Sequence, residues 1–368
     1  MRVLIVPDKF KGTLSAPSAA EAIAAGWRRA RPGDALDLLP MSDGGDGFGE
    51  TVSAQLGAVP QIIRAMDAAH RSCRATWWWN AKTKTAVIES AKVIGLAMLP
   101  PGKFHPFALD TFGLGAVLRA ALAKGARQIL IGIGGSATND GGFGLARAMG
   151  WKFRDHAGKS IERWTDLHLL TEISPPKLRW FGSVTVAVDV QNPLLGPCGS
   201  TRIYGPQKGI RPEDLKPAER CLRQLARVVM RQFGTDFARV PGTGAAGGLG
   251  FGLLVFAGAR MQPGFELFAK LAGLQRRLCA ADLVITGEGA LDHSTLMGKG
   301  VGGVARLCRD LKIPCVALAG GVVRTREMDR LFSRVEALTD ATTLEDAKAR
   351  PEFWLESLAA HAASDWRK

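Results

Sequence analysis

Five short apolar stretches typical of β-strands each end in a cluster of glycine, small and acidic residues. The stretches and their loops are 3–6 with 7–12, 36–39 with 41–47, 129–133 with 134–142, 283–285 with 286–289, and 315–319 with 320–321. Parallel α/β sheets bind ligands beyond the carboxyl ends of their strands. The pattern therefore predicts such a sheet. Backbone N–H groups for phosphate, carboxylates for metal and protons, and nearby lysines together indicate phosphoryl transfer.

Length and composition indicate a folded protein of more than one domain. The chain has 368 residues, 46% of them hydrophobic and 22% charged, and two domains are typical of this length. No apolar run approaches the roughly 20 residues that cross a bilayer. The N-terminus enters a strand directly and lacks the features of a secretory signal. Six scattered cysteines without a C-x-x-C pair favour reduced thiols, so we expect a cytoplasmic location.

The net charge of +14 raises the question of a nucleic-acid partner. Lysine and arginine are spread along the chain rather than clustered, and a single tyrosine offers little surface for base stacking. The charge instead favours a basic surface that attracts small anions. We therefore expect neither a nucleic-acid nor a membrane partner.

The strand pattern changes along the chain. Residues 61–90 suggest antiparallel strands, and residues 151–274 lack a steady alternation of strand and helix. The sequence therefore predicts a doubly wound parallel domain interrupted by a second α/β domain with a mixed sheet. The predicted boundaries are 1–60, 110–150 and 275–368 for the first domain, and 61–109 and 151–274 for the second.

The loop 132–137 matches the dinucleotide-binding pattern G-x-G-x-x-[GA] after a strand, with Asp155 near the expected acidic distance. A second match at 242–247 has no credible strand before it. The first loop continues as Thr138-Asn-Asp-Gly-Gly142, for which a pyrophosphate cradle has no evident need. A site for metal and phosphate can use both Asn139 and Asp140.

No Walker A loop and no H-R-D or D-F-G kinase motif is present. A nucleotide kinase must therefore use another cradle, and the segment 244–250 suits phosphates at a helix N-terminus. Close packing of that segment against another element explains its glycines equally well.

Asp189 ends the apolar stretch 184–188. An isolated aspartate there is usually a turn former, but the nearby polar segment 204–209, which contains Lys208, favours a functional role. No G-x-S-x-G elbow exists, and His293 beside Asp292 is better explained as a loop residue.

Together these segments resemble the type I glycerate kinase family, in family order over nearly the whole chain. The matching segments are 8–15, 42–47, 131–142, 189–194, 205–209, 244–250 and 285–289, with Gly298-Lys299. The resemblance implies ATP-dependent phosphorylation of D-glycerate, most often at the 2-hydroxyl, with Mg²⁺. It also implies a flavodoxin-like (Rossmann-like) domain carrying an inserted α/β domain. We expect the protein to form a homodimer.

On this basis we assign three groups of candidate residues. Those with catalytic roles are Asp189, Lys11 and Asp8. Those that bind substrate or phosphate are Lys9, Ser42, Asp43, Gly44, Gly134, Gly135, Ser136, Thr138, Asn139, Lys208, Gly247 and Gly248. Those that bind metal are Asp140, Glu288 and Asp292.

The chain departs from the family pattern at three motifs. Lys9 stands where a small residue is usual, and Asp46 and Phe48 replace Glu and Thr. Ala290 and Ser294 replace Arg and Gln. Loss of the arginine removes a bidentate anion donor, so Lys9 either supplies the missing charge or the acceptor differs.

Two other functions stay open at this point. A dinucleotide-dependent oxidoreductase would use the loop 132–137, but no constellation of His or Tyr suits hydride transfer. An anion-binding homologue that has lost catalysis is suggested by Ala290 and Ser294.

Overall fold

The computed structural model describes residues 1–177, 182–296 and 300–366. Backbone contacts divide the chain into two compact units. Unit 1 comprises Met1–Asp43, Glu50–Gln55 and Phe265–Lys368, and unit 2 comprises Gly44–Gly49 and Leu56–Gly264. Each unit is described by itself below.

The strands are β1 (Arg2–Pro7), β2 (Ala35–Leu38), β3 (Val59–Met66), β4 (Ser72–Asn80), β5 (Thr85–Glu89), β6 (Gln128–Gly132), β7 (Lys152–Asp155), β8 (Leu170–Ser174), β9 (Ser183–Ala187), β10 (Arg260–Gln262), β11 (Leu283–Leu291), β12 (Cys315–Val322) and β13 (Arg334–Ala337). The α-helices are α1 (Ala16–Ala30), α2 (Phe48–Leu56), α3 (Ala91–Ile94), α4 (Leu114–Ala123), α5 (Phe143–Ala148), α6 (Ser200–Tyr204), α7 (Pro212–Phe233), α8 (Ala245–Phe256), α9 (Gly264–Leu271), α10 (Leu274–Cys279), α11 (His293–Leu296), α12 (Gly300–Asp310), α13 (Arg326–Leu331), α14 (Leu344–Ala349) and α15 (Pro351–Asp365).

Unit 1 is built on a parallel sheet with the strand order β13-β12-β11-β1-β2. When only these strands are counted in chain order, the sheet reads 2-1-3-4-5, which is the flavodoxin-like order. The strand order reverses between β1 and β11, and ligands of such sheets bind at that switch point. The predicted flavodoxin-like parallel domain is therefore confirmed.

Apolar side chains cover both faces of this sheet. On one face Ile23 and Trp27 of α1 pack with Leu355 of α15. On the other face Leu278 of α10 and Val304 of α12 are buried. Helix α1 begins after Ser15, whose hydroxyl caps it by accepting a hydrogen bond from the Ser18 amide at 3.2 Å.

Unit 2 contains a mixed sheet with the order β10-β9-β6-β5-β4-β3. Strands β5, β6, β9 and β10 are parallel, whereas β3 and β4 pair antiparallel. Trp77 and Trp78, which point to opposite faces, are both buried. The second α/β domain with a mixed sheet, and the antiparallel strands expected within residues 61–90, are confirmed.

The units divide the chain differently from the predicted boundaries. Residues 110–150 were expected in the parallel domain, but β6 pairs with β5 and β9 in unit 2. The second long segment of unit 1 begins at Phe265 rather than at residue 275. The reason is that β6 has the same apolar pattern as the strands of unit 1, and only hydrogen-bond pairing separates them. Three of the five strand–loop pairs therefore lie wholly in unit 1 and one lies in unit 2. The remaining pair has its strand and residues 41–43 in unit 1 and residues 44–47 in unit 2.

Two further expectations concern the environment of the protein. In residues 1–177, 182–296 and 300–366, no helix combines the length and apolar character that crossing a membrane requires. All six cysteines lie in this part of the chain, and all are free thiols.

Candidate functional site

Carboxylates cluster at the switch point of the unit 1 sheet. Asp8 follows β1 directly and its amide donates to the Gly287 carbonyl of β11 at 2.8 Å, which places it beside Glu288. Burial raises the pKa of Asp8 to about 6; the nearby Lys9 opposes this shift and Asp43 adds to it. The structure brings Asp8, Asp43 and Glu288 together at the carboxyl ends of these strands.

Glu288 belongs to the same cluster of carboxylates. Burial, together with the charges of Asp8, Asp292 and Asp43, raises its pKa to about 7, against a hydrogen bond from the Thr295 hydroxyl at 2.8 Å. Mutual repulsion among carboxylates marks a site that favours a positive ligand.

Lys9 lies within this cluster. Its ammonium is 3.4 Å from Asp43 Oδ1 and 3.9 Å from Asp8 Oδ1, and its side chain is 24% exposed. Lys9 therefore offsets charge inside the carboxylate cluster. Lys11 lies exposed on the same loop, and Ser42 is buried after β2.

The glycine-rich loop of unit 2 follows β6 and is held in place by backbone contacts. The Gly134 amide donates to the Gly44 carbonyl at 3.2 Å. The hydroxyls of Ser136 and Thr138 are 2.9 Å apart. Asn139 is completely buried and its amide nitrogen donates to the Thr201 hydroxyl at 3.0 Å. This loop brings Gly134, Ser136 and Thr138 to the carboxyl end of the unit 2 sheet.

Asp140, expected to bind metal, serves instead as a buried acceptor for the protein. Its Oδ2 accepts hydrogen bonds from the Thr111 amide and hydroxyl and from the Gly144 amide, and its Oδ1 accepts from the Gly142 amide. Burial and the charge of Asp110 raise its pKa to about 6, against these hydrogen bonds. With both oxygens occupied, Asp140 orders the loop, and we do not carry it forward as a metal ligand.

Lys208 is buried behind the same loop. Its ammonium donates to the Thr138 carbonyl at 2.6 Å, and its side chain is 6% exposed. Burial lowers the pKa of Lys208 to about 7, while the charge of Asp140 opposes the change. Lys208 therefore holds the glycine-rich loop in place through its hydrogen bond to the Thr138 carbonyl.

Gly247 and Gly248 are required for close packing. A Cβ added at Gly247 would lie 1.7 Å from the Thr138 carbonyl oxygen, and one at Gly248 would lie 2.8 Å from the Gly141 Cα. Both have positive φ angles within the first turn of α8. Of the two explanations that the sequence leaves open, the structure therefore supports close packing for these glycines rather than direct phosphate binding.

Asp189 follows β9 at the carboxyl edge of the unit 2 sheet and is half-buried. Its Oδ1 accepts a hydrogen bond from the Gly264 amide at 3.1 Å. An asparagine could accept this same bond, so the contact alone does not require a carboxylate.

The sequence did not identify Glu89, which ends β5 beside Gly132 of β6. Glu89 is 2% exposed and accepts hydrogen bonds from the amides of Gly47 and Gly49 at 3.2 and 2.9 Å. Burial raises its pKa, opposed by these amides and by Lys92. The signal available in the sequence was an acidic residue directly after the apolar run 86–88.

The candidate residues thus form two groups, one in each unit. Unit 1 holds Asp8, Lys9, Lys11, Ser42, Asp43, Glu288 and Asp292, and unit 2 holds Gly44, Gly134, Gly135, Ser136, Thr138, Asn139, Asp140, Asp189, Lys208, Gly247 and Gly248. The motif residues Gly298 and Lys299, and the side chain of Ser294, lie outside the described part of the chain.

A parallel α/β sheet with carboxylates at its switch point, and a glycine-rich loop after a strand, are typical of phosphate-handling enzymes. Comparison with known proteins narrows this class. The family model described as "Glycerate kinase family" matches residues 3–367, and the chain belongs to this family. It is therefore a kinase, and the resemblance drawn from its motifs is confirmed.

Individual relatives are similar over nearly their whole length. Glycerate kinase of Halalkalibacterium halodurans is 35% identical, with 100% of this chain and 99% of the relative covered. Glycerate 2-kinase of Escherichia coli is 36% identical, with 94% and 93% covered. A crystal structure from Salmonella typhimurium LT2, assigned as glycerate kinase 2, superposes with a TM-score of 0.83 at 33% identity and covers 99% of this chain and 97% of its own.

Proposed function

We propose that this kinase transfers the γ-phosphoryl group of ATP to D-glycerate, at the 2-hydroxyl, to give 2-phosphoglycerate. The observation that carries the proposal is the match to the glycerate kinase family over residues 3–367. A relative named glycerate 2-kinase that is 36% identical supports the choice of hydroxyl.

The phosphate-binding role is proposed for the loop after β6. Gly134, Gly135 and Ser136 stand at the carboxyl end of a central strand, where backbone N–H groups suit anions. Thr138 and Asn139 lie behind them, held by Lys208 and Thr201. We therefore assign Lys208 and Asn139 to shaping the loop, and the amides of Gly135 and Ser136 to the phosphates.

The donor atoms at the unit 1 switch point suit Mg²⁺. In the described part of the chain, no three His, Cys, Asp or Glu side chains form a complete metal cage. Magnesium does not need one, because it usually takes one or two carboxylates and completes its shell with water and phosphate oxygens. Glu288 and Asp292 would hold the ion, which would neutralise phosphate charge, and Asp8 lies near Glu288.

Asp189 is proposed to orient the acceptor hydroxyl or to take its proton. It stands at the end of β9, with one oxygen held by the Gly264 amide. Lys11, exposed on the loop after β1, is proposed to offset developing negative charge. In phosphoryl transfer, positioning and electrostatics supply most of the acceleration.

We also propose a cytoplasmic location, supported by six free cysteines, and a homodimer as the assembly. Cell fractionation tests the location, and a measurement of the molar mass in solution by light scattering tests the assembly. Both are independent of catalysis.

The central test is an ADP-release assay with ATP and Mg²⁺ over D-glycerate, L-glycerate, hydroxypyruvate and larger sugar acids. We expect D-glycerate to give the highest kcat/KM, and ³¹P NMR of the product to show 2-phosphoglycerate. Preference for another hydroxy acid would change the acceptor and keep the reaction class. Nicotinamide-dependent turnover of glycerate without ADP would refute the proposal.

A further inference from the structure

Glu89 binds two main-chain amides with one buried carboxylate. Its Oε1 accepts from Gly47 N at 3.2 Å and its Oε2 from Gly49 N at 2.9 Å. Only 2% of the residue is exposed. A buried carboxylate is costly unless it is hydrogen-bonded, and a carboxylate alone among side chains presents two acceptors with no competing donor.

The segment held by Glu89 is the glycine turn, residues 44–49. Gly134 N donates to Gly44 O at 3.2 Å. A Cβ on Gly134 would lie 2.5 Å from the Gly45 Cα, and one on Gly135 would lie 2.2 Å from Asp46 Oδ1. The glycine turn therefore touches the loop after β6 at two successive residues, and any shift of the turn must shift that loop.

We propose that Glu89 is a positioning residue for the phosphoryl donor. By holding the amides of Gly47 and Gly49, it fixes the glycine turn against Gly134 and Gly135 and thereby sets the loop that receives the phosphates. This inference rests on the proposed function of that loop. It goes beyond it by naming a residue that acts without touching the ligand.

The test compares Glu89→Gln and Glu89→Asp with the parent protein. Glutamine has one acceptor and brings an N–H donor against a backbone N–H, whereas aspartate keeps both acceptors on a shorter side chain. The matched control is Asp67→Asn. Asp67 is also buried and its Oδ1 accepts from the amides of Ala69 and Arg71 at 2.9 and 3.0 Å, but it lies in the turn between β3 and β4.

Two readouts separate positioning from simple structural support. Hydrogen–deuterium exchange of the peptide covering residues 44–49 reports whether the turn is held. Calorimetric titration with the non-hydrolysable ATP analogue adenylyl imidodiphosphate reports donor affinity. For Glu89→Gln we expect faster exchange in this peptide and an affinity about tenfold weaker, the size expected when hydrogen bonds to a charged group are lost. Glu89→Asp should recover part of both, and Asp67→Asn should change exchange only near its own turn.

The outcomes are distinct. Unchanged exchange in Glu89→Gln, or faster exchange with unchanged affinity, overturns the inference alone, provided that the parent binds the analogue and phosphorylates D-glycerate. If the parent does not bind the analogue, the proposed use of ATP fails and the positioning role falls with it.

Discussion

The buried Lys208 should make stability depend on pH in a way that a neutral side chain cannot. Its pKa is lowered to about 7 by burial, whereas a lysine in an unfolded chain has a pKa of about 10.4. Between these values the unfolded state binds a proton that the folded state does not. The free energy of unfolding therefore rises with pH in this window. Below pH 7 both states are protonated, and the Lys208 contribution stops changing.

The size of the effect follows from the two pKa values. Each pH unit within the window contributes up to about 1.4 kcal/mol, so the rise from pH 7 to pH 9 is about 2 kcal/mol. The hydrogen bond from Lys208 to the Thr138 carbonyl is available to both the charged and the neutral amine. A variant that loses this hydrogen bond is destabilised by about 1 kcal/mol at every pH. The change of stability with pH therefore reports only the titration of the Lys208 amine.

The assay is urea unfolding of the parent, Lys208→Met and Lys208→Gln at pH 7, 8 and 9. Subtracting each variant removes the titration of all other groups. We expect the parent to gain about 2 kcal/mol relative to both variants over this range. The two variants should differ from each other by a constant amount, because neither titrates at this position. A parent-to-variant difference that does not change with pH would mean that Lys208 stays charged in the folded protein, and would refute the reasoning.

Three further predictions follow from the same geometry. Asp189→Asn should keep the hydrogen bond from the Gly264 amide but lower kcat by about 10²–10⁴-fold if the carboxylate acts on the acceptor; near-normal kcat with an intact fold returns Asp189 to a turn-forming role. Lys9→Ser removes an ammonium 3.4 Å from Asp43 and should lower the Mg²⁺ concentration at half-maximal rate by about fivefold or less, as expected for one partly exposed ion pair; an increase contradicts this. Gly247→Ala should destabilise by more than about 3 kcal/mol, whereas Gly258→Ala, also at positive φ but with no atom within 4 Å, should cost about 1 kcal/mol; equal costs would exclude packing as the reason.

Much of the fold could be predicted because local signals and tertiary structure agree. The Ser15 cap, the apolar strands of unit 1 and the antiparallel strands within residues 61–90 are all encoded over short stretches. The placement of β6 could not be predicted in this way. Its apolar residues suit either sheet, and its partners β5 and β9 are distant in sequence.

The candidate site was predicted less completely, because residue type does not reveal which groups a side chain meets. Asp140 and Asp8 both stand in acidic, glycine-rich loops after strands. Asp140 meets amides and a hydroxyl from Thr111, Gly142 and Gly144, contacts that depend on long-range folding. The sequence predicts that Lys208 binds phosphate, yet its ammonium is buried and bonded to the Thr138 carbonyl. Burial of polar groups is the information that a single sequence lacks.

The surroundings of each strand-end carboxylate distinguish structural acids from acids available for chemistry. Asp140 and Glu89 each have both oxygens occupied by donors of the protein itself, so their role is to hold backbone. Burial also raises the pKa values of Asp8 and Glu288, and these two residues lie in one cluster of carboxylates with Asp43 and Asp292. A cluster of mutually repelling acids is stabilised by a cation, and a kinase supplies one with its nucleotide. We therefore propose the unit 1 switch point as the place for the metal because its acids repel one another, not because glycines lie nearby.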